Sequence, residues 1–510
     1  MTAAARLRRV LRPRTAVDIG GALNLCGALL KYLSLASVVP VAVALGYSEP
    51  VWPFLLAGAV AAAAGWTMER LTEGKEQIGA REGFLVVALI WLLAAAFGSL
   101  PYIFSGERPL DNPINAYFEA MSGFTTTGAS TVADPTELSR SMLIWRQFTQ
   151  WLGGMGIIVL ALAVLPRLRV GGRQLMEQEL PGPELEPLTA SIRSTARRLW
   201  LLYLALTAVL IGTLSAFAWT GVDPAMSFYH AVANAFTAMP TGGFGTTATS
   251  VAAFGAASQW VLALFMLLAG ANFALLYRAF ARRNPQALAR DEEFRLYVVL
   301  LALGSLILFA ELLSEGIFRG EDALRHSVFQ AVSVMTTTGF ASADYTTWTA
   351  LSAMTLVALM FAGGSAGSTA GSIKVVRHLL IGKMLRRELD QTVHPEIIHT
   401  IRLNGAPIEE RELRAVITFV LLYVGLFVVG AAGLAIESAR ANVGVSPFEA
   451  IAAAATTLGN VGPAFGFAGP YGSFAPFSDL SKVIMIGLMW LGRLEIIPVV
   501  VLFTRVYWRA

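Results

Sequence analysis

Hydrophobic side chains fill 55% of the 510 positions, only 14% are charged, and mean hydropathy is +0.62. A soluble protein carries about 25% charged residues, so a large water-soluble core is excluded. The formal charge of +4 gives no pointer to nucleic acid, since in a membrane chain the placement of basic residues outweighs their sum, and the single cysteine, Cys26, excludes an intramolecular disulfide and a cysteine-rich metal site.

A helix of about 20 apolar residues crosses a bilayer. Ten such runs follow one another, at 20–46, 51–71, 82–104, 141–166, 197–220, 258–281, 294–318, 350–389, 412–437 and 480–507. The first follows Arg6, Arg8, Arg9, Arg12 and Arg14. A basic stretch before an apolar run also opens a signal peptide, but nine further runs and the lack of a small-residue cleavage site predict an uncleaved first helix. The first two runs precede any repeat. From the third onward they come in pairs, and each pair encloses an aromatic residue, a short apolar-to-small stretch, and a Thr- or Asn-bearing tripeptide with a glycine. In the first pair Phe118-Glu119-Ala120 leads to Thr125-Thr126-Thr127-Gly128, and in the second Tyr229-His230-Ala231 leads to Pro240-Thr241-Gly242. The third runs from Phe329-Gln330-Ala331 to Thr336-Thr337-Thr338-Gly339, and the fourth from Phe448-Glu449-Ala450 to Asn460-Val461-Gly462.

This pattern predicts an all-α polytopic membrane protein. Four pseudo-symmetric helix–pore loop–helix modules surround one ion pathway, and two extra transmembrane helices precede them. The divisions fall at 1–75, 76–175, 190–290, 291–390 and 405–510. The basic residues support a common orientation. Arg167, Arg169, Arg173, Arg193, Arg197 and Arg198 lie between runs four and five, Arg278, Arg282, Arg283, Arg290 and Arg295 follow run six, and Lys374 to Arg414 supply eight more between runs eight and nine. The stretch from Trp219 to Gln259 has neither Lys nor Arg. By the positive-inside rule both termini are cytoplasmic and all four Thr/Gly loops open outward.

Irregular backbone at membrane depth is tolerated where it lines a wet cavity. A half-helix entering from outside turns its partially negative C-terminus to the centre, which favours a cation. A strand whose carbonyls face one axis needs backbone angles of alternating sign, and glycine reaches positive φ without penalty. Thr126, Thr127, Thr337 and Thr338 add hydroxyl oxygens, and hard neutral oxygens suit a weakly hydrated alkali ion better than a divalent one. From aromatic to filter glycine the distance is 10 residues in units one and three, 13 in unit two and 14 in unit four. That excess predicts longer half-helices in units two and four.

Phe118 to Ala129, Trp151 to Val159, Thr336 to Phe340, Gly363 to Arg377, Asn460 to Pro463 and Leu491 to Glu495 together resemble the Trk/Ktr/HKT superfamily of potassium transporters. The resemblance covers about residues 15 to 507, and the two helices before the first repeat favour the TrkH type of bacterial K+ uptake subunit. It implies a K+ selectivity filter at Thr126-Thr127-Gly128, Pro240-Thr241-Gly242, Thr337-Thr338-Gly339 and Asn460-Val461-Gly462. K+ is the bound substrate ion, at Thr126, Thr127, Thr241, Thr337, Thr338, Asn460 and Val461, with no other cofactor in the chain. Further implications are a homodimer among the lipids of the bacterial inner membrane and a cytosolic nucleotide-binding regulator of the TrkA type, with no nucleic-acid partner. Pro240 makes the second strand the one that departs most.

Two further features lie in the inner helices. Arg493 interrupts the last apolar run, a costly placement that usually faces a cavity or a partner. It reads either as a scaffold, paired with Glu495, or as a barrier, and the resemblance puts it just under the filter. Gly363, Gly364, Gly367, Ser368, Thr369 and Gly371 belong to ten consecutive residues drawn from Gly, Ser, Ala and Thr. Such a stretch is a poor helix and reads as a plug that breaks only this inner helix, or as a packing surface. In the family it is the intramembrane gate. Glu107, Asp111, Glu119, Asp134, Asp223, Asp322, Glu449 and Asp479 are expected on the outer side, where together they concentrate cations or singly serve as helix-start acids. No motif marks 171–192 or 385–412. The rival reading is a secondary symporter coupled to Na+ or H+, which needs carboxylates well inside the spans, where only Glu311 and Glu495 stand, both near span ends or off the repeat theme. A membrane enzyme needs a nucleophile–base pair or metal cluster, and the sequence offers neither, so no catalytic residue is assigned.

Overall fold

The computed structural model describes residues 17–73, 79–163, 192–396 and 400–509. Arg6 to Arg14, Arg167 to Arg173 and nearly all of 171–192 lie outside the described residues. The architecture is helical and follows the ten apolar runs to within a few residues. The two N-terminal helical segments, Ile19–Tyr47 and Trp52–Leu71, form a hairpin. They cross at Gly27 and Gly65, where a Cβ on either glycine would lie 2.6 or 2.5 Å from the other's carbonyl oxygen. On the far side of this hairpin Glu49 accepts hydrogen bonds from the Arg140 and Ser141 amides (2.9 and 2.8 Å). It thereby satisfies two orphan donors at the start of the first inner helix.

Each repeat then has an outer helix, a re-entrant half-helix, an irregular strand and an inner helix. The outer helices are Arg81–Ser105, Ala196–Thr220, Glu292–Ser314 and Glu410–Arg440. The half-helices are Pro113–Phe124, Phe228–Ala238, Gly320–Met335 and Pro447–Gly459. Their starts are written in sequence. The Asn112 side chain accepts from Ile114 and Asn115 ahead of Pro113, Ser227 accepts from His230, and Ser446 and Glu449 form a capping box. All four are deeply buried, the fourth through the small side chains of Ala450 and Ala452 to Ala455.

Two expectations fail here. Units two and four do not have longer half-helices: these count 11 and 13 residues, against 12 and 16 in units one and three. Their aromatic residues, Tyr229 and Phe448, are instead the second residue of their half-helices, whereas Phe118 and Phe329 stand one and two turns further in. Nor is the third inner helix alone in being broken. The first, Arg140–Ala163, is continuous. The second, however, bends by 109° between Ala256–Ala269 and Phe273–Phe280, and the fourth by 112° between Asp479–Arg493 and Ile497–Phe503. The fourth break is made by consecutive positive-φ residues, Glu495 and Ile496, and the second follows Gly270. Neither has a glycine-rich run to announce it. The third inner helix ends at Ala362 and resumes at Val375. Between repeats three and four, Arg402–Leu403 and Ala406–Pro407 pair as a small antiparallel hairpin. Asn404 and Gly405, both at positive φ, form its turn.

Candidate ion pathway

At the end of each half-helix the chain turns in the same way. The amide of Thr127 donates to Ser122 O, Gly242 to Thr237 O, Thr338 to Ser333 O, and Val461 to Thr456 O, all at 2.8–2.9 Å. The preceding residues, Thr126, Thr241, Thr337 and Asn460, are left-handed (φ +52° to +58°). The following ones, Gly128, Gly243, Gly339 and Gly462, also have positive φ (+77° to +111°). The equivalent tripeptides are therefore Thr126-Thr127-Gly128, Thr241-Gly242-Gly243, Thr337-Thr338-Gly339 and Asn460-Val461-Gly462. In repeat two the sequence reading is one residue early. Pro240 stands with Thr125, Thr336 and Gly459 outside the strand, and Gly243 takes the place given to Gly242. Two adjacent glycines left the register open in sequence, and backbone sign resolves it.

The four strands close into a ring in chain order. A Cβ on Gly128 would come within 3.0 Å of Gly242 O, and one on Gly243 would approach Thr338 O as closely. The same holds for Gly339 with Val461 O and for Gly462 with Thr127 O. Real Cβ atoms do not approach so closely, so each left-handed glycine is fixed by the carbonyl of the next repeat as well as by its own φ. The strands run in one direction. Gly128, Gly243 and Gly339, with Pro463 next to Gly462, line one vestibule at the glycine ends of the strands.

The acids around this mouth are largely occupied. Glu119 is fully buried and accepts from Arg146 Nε and Nη2 (2.8 and 2.6 Å), Ser130 Oγ and the Thr131 amide (both 2.9 Å). Asp223 accepts from the Gly255 amide and Ser258 Oγ (2.8 and 2.6 Å). Glu107 is held by Ser139, and Asp134 caps Thr136. These carboxylates brace helix starts and loops, and among the described residues only Glu119 of the four is paired with a cationic side chain, Arg146. The Arg146 guanidinium lies over the Phe244 ring, 4.3 Å from its centroid.

At the opposite end of the strands the 363–374 loop meets the ring. Its main chain docks into the break of the second inner helix: Ser365 N donates to Gly270 O (2.9 Å), and Phe273 N donates to Gly367 O (3.1 Å). Glu293 Oε1 accepts from Ala366 N (2.6 Å) and Val376 N (3.2 Å), clamping the loop and the helix after it. The loop then touches two strand threonines. Gly371 N donates to Thr337 Oγ1 (2.7 Å), and Thr369 Oγ1 lies 3.4 Å from Thr241 Oγ1. Arg493 is buried here, and its Nη1 donates to Thr369 O (2.8 Å). Arg493 Nε and Nη2, Thr126 Oγ1 and Asn460 Oδ1 have no protein hydrogen-bond partner. The scaffold pair with Glu495 does not form: Glu495 Oε2 accepts from Arg377 Nη2 (2.5 Å), because the chain reverses hand at Glu495 and carries that side chain away from Arg493. Arg493 and the loop, read separately in sequence, are one contact.

Sequence reasoning missed Gln150, Arg146 and Glu293. Gln147 and Gln150 are three residues apart on the first inner helix, so they share a face, and that spacing was the available signal. Asn404-Gly405 between short apolar stretches was a readable hairpin signal in 385–412.

Four re-entrant half-helices, four strands closed around one axis and a surrounding set of apolar spans define a single-chain, fourfold-repeated membrane transporter. Residues 54–509 match the profile of TrkH, described as a cation transport protein, and the chain belongs to this family. That makes it a transporter and not an enzyme. It is 35% identical over 497 residues to the Trk system potassium uptake protein TrkH of Vibrio parahaemolyticus, covering 96% of this chain and 99% of that one. The Escherichia coli TrkH is likewise 35% identical, over 498 residues (95% and 98%). The Escherichia coli Trk system potassium uptake protein TrkG is 32% identical over 495 residues (96% and 98%). The crystal structure of the potassium transporter TrkH from Vibrio parahaemolyticus superposes with a TM-score of 0.85 at 33% identity, over 96% of this chain and all of that one.

Proposed function

We propose that this chain takes up K+ across the bacterial inner membrane through the ring formed by 126–128, 241–243, 337–339 and 460–462. The observation that carries the proposal is the closed ring, in which four parallel strands with paired positive-φ residues meet in chain order. K+ exchanges its hydration water for strand carbonyls and for the hydroxyl or amide oxygens of Thr126, Thr241, Thr337 and Asn460. The half-helix C-termini add a favourable field.

The 363–374 loop is the gate in this reading and Arg493 its barrier. With the loop docked, its Gly371 amide takes a lone pair of Thr337, and the guanidinium stands beneath the ring, where little water screens it. Opening requires the loop to leave the broken second helix and Arg493 to lose Thr369 O. A cytosolic nucleotide-binding partner of the TrkA type supplies that regulation, and the chain works as a homodimer with cytoplasmic termini.

Rubidium-tracer uptake into proteoliposomes holding the purified chain, competed with K+ and with Na+, tests the function. Uptake displaced by K+ and little affected by Na+ is expected. Equal displacement by both ions, or uptake that requires a Na+ or H+ gradient, would replace the filter reading with the coupled one.

A further inference from the structure

The four strands differ at their middle residue, which is Thr127, Gly242, Thr338 or Val461. In repeat one the Thr127 hydroxyl is held by Thr125 Oγ1 (2.7 Å) and Asn460 Nδ2 (2.9 Å). In repeat three Thr338 is held by Thr336 Oγ1 (2.8 Å). In repeat four the Val461 side chain fills the space beside Gly459. Repeat two has none of these braces. Gly242 has no side chain, and Pro240, standing where Thr125 and Thr336 stand, has no hydroxyl.

The place is nevertheless filled. A Cβ on Gly242 would meet the Gln150 carboxamide, with Cδ at 2.5, Oε1 at 2.6 and Nε2 at 2.9 Å. Gln150 is fully buried on the first inner helix, and it holds the strand from both sides. Its Nε2 donates to Gly242 O (2.6 Å), and its Oε1 accepts from Phe244 N (3.1 Å). A carboxamide has one end of each kind, so both bonds form in a single orientation. One turn away Gln147 Nε2 donates to Gly245 O (3.4 Å).

We infer that Gln150 is a positioning residue for ion selectivity, a carboxamide borrowed from repeat one that replaces the side chain missing at Gly242. The inference rests on the reading of 241–243 as a filter strand. The carbonyl that Gln150 holds is the one against which Gly128 packs, so a drift of the second strand is passed directly to the first. Gly242 lies outside the left-handed region, so its backbone accepts a side chain once Gln150 withdraws.

That exchange is the test. In the proteoliposome assay, Gln150→Ala, which loses both hydrogen bonds to the second strand, is expected to lower discrimination of rubidium from Na+ about tenfold. Gly242→Thr alone, which collides with Gln150, is also expected to lower it. The double variant Gln150→Ala/Gly242→Thr rebuilds the arrangement of repeats one and three and is expected to recover most of the loss. A general weakening of the fold would make the double variant worse than either single one. Gln150→Met keeps the volume without either hydrogen bond and gives the same reading if the alanine variant does not accumulate. Gly339→Ala separates the two levels of the argument. If it too leaves discrimination intact, the filter reading fails. If it abolishes discrimination while Gln150→Ala and Gln150→Met keep it, or if the double variant shows no recovery, the role of Gln150 is overturned.

Discussion

Arg493→Ala separates a barrier from a scaffold. The guanidinium makes one protein hydrogen bond, from Nη1 to Thr369 O at 2.8 Å, and Nε and Nη2 make none. A hydrogen bond from a charged donor contributes about 1.5–3 kcal/mol, and each 1.4 kcal/mol is about tenfold in an equilibrium. Losing it therefore shifts the loop from docked to released by about 10- to 100-fold. In the barrier reading, removing the charge acts in the same direction, since at 4 Å and an effective dielectric of 20 two unit charges repel by about 4 kcal/mol. Rubidium flux per folded protein, normalised by size-exclusion yield, is expected to rise at least about tenfold. Arg493→Lys keeps the charge but not the planar fork, and its flux is expected to stay near the parent's. A monodisperse alanine variant with parental or lower flux would refute the reasoning. A lysine variant as leaky as alanine would move the cause from charge to geometry.

Three other perturbations address the ring, the loop and the outer brace. Gly128→Ser or Gly339→Ser places a Cβ against a neighbouring carbonyl and is expected to weaken K+/Na+ discrimination at near-normal abundance, read by competition of tracer uptake. Shortening 363–372 removes the bonds to Thr337 and to the second inner helix and should raise basal flux, where a mere packing surface would give less folded protein and no excess flux. Glu119→Ala leaves Arg146 buried without its partner, a loss of about 3–5 kcal/mol, and should lower the melting temperature of the purified protein far more than Asp134→Ala at the exposed 3-10 turn.

Much of the fold was legible because a bilayer admits few solutions: apolar runs of spanning length, basic flanks and recurring Thr/Gly stretches place helices and loops with little ambiguity. What escaped depends on backbone sign and on contacts far apart in sequence. Gly242 and Gly243 cannot be told apart by residue type, and only φ shows which of them stands with Gly128. Glu495 and Ile496 carry no mark of the left-handed turn they adopt, so the bend of the fourth inner helix was invisible. The Glu119–Arg146 pair joins residues 27 positions apart, and Gln150 meets Gly242 across 92. Neither separation has a periodicity to detect.

Because the four walls of the ring are separate stretches of one polypeptide, each is free to mutate alone. A channel assembled from four identical subunits changes all four corners with every substitution. Here a single codon alters one quarter of the ring, and Thr, Gly, Thr and Val already share one layer. If the ring is the filter we propose, selectivity is thus tunable in small steps, and a loss at one wall can be offset by a change at its neighbour, the part we infer for Gln150 beside the bare Gly242.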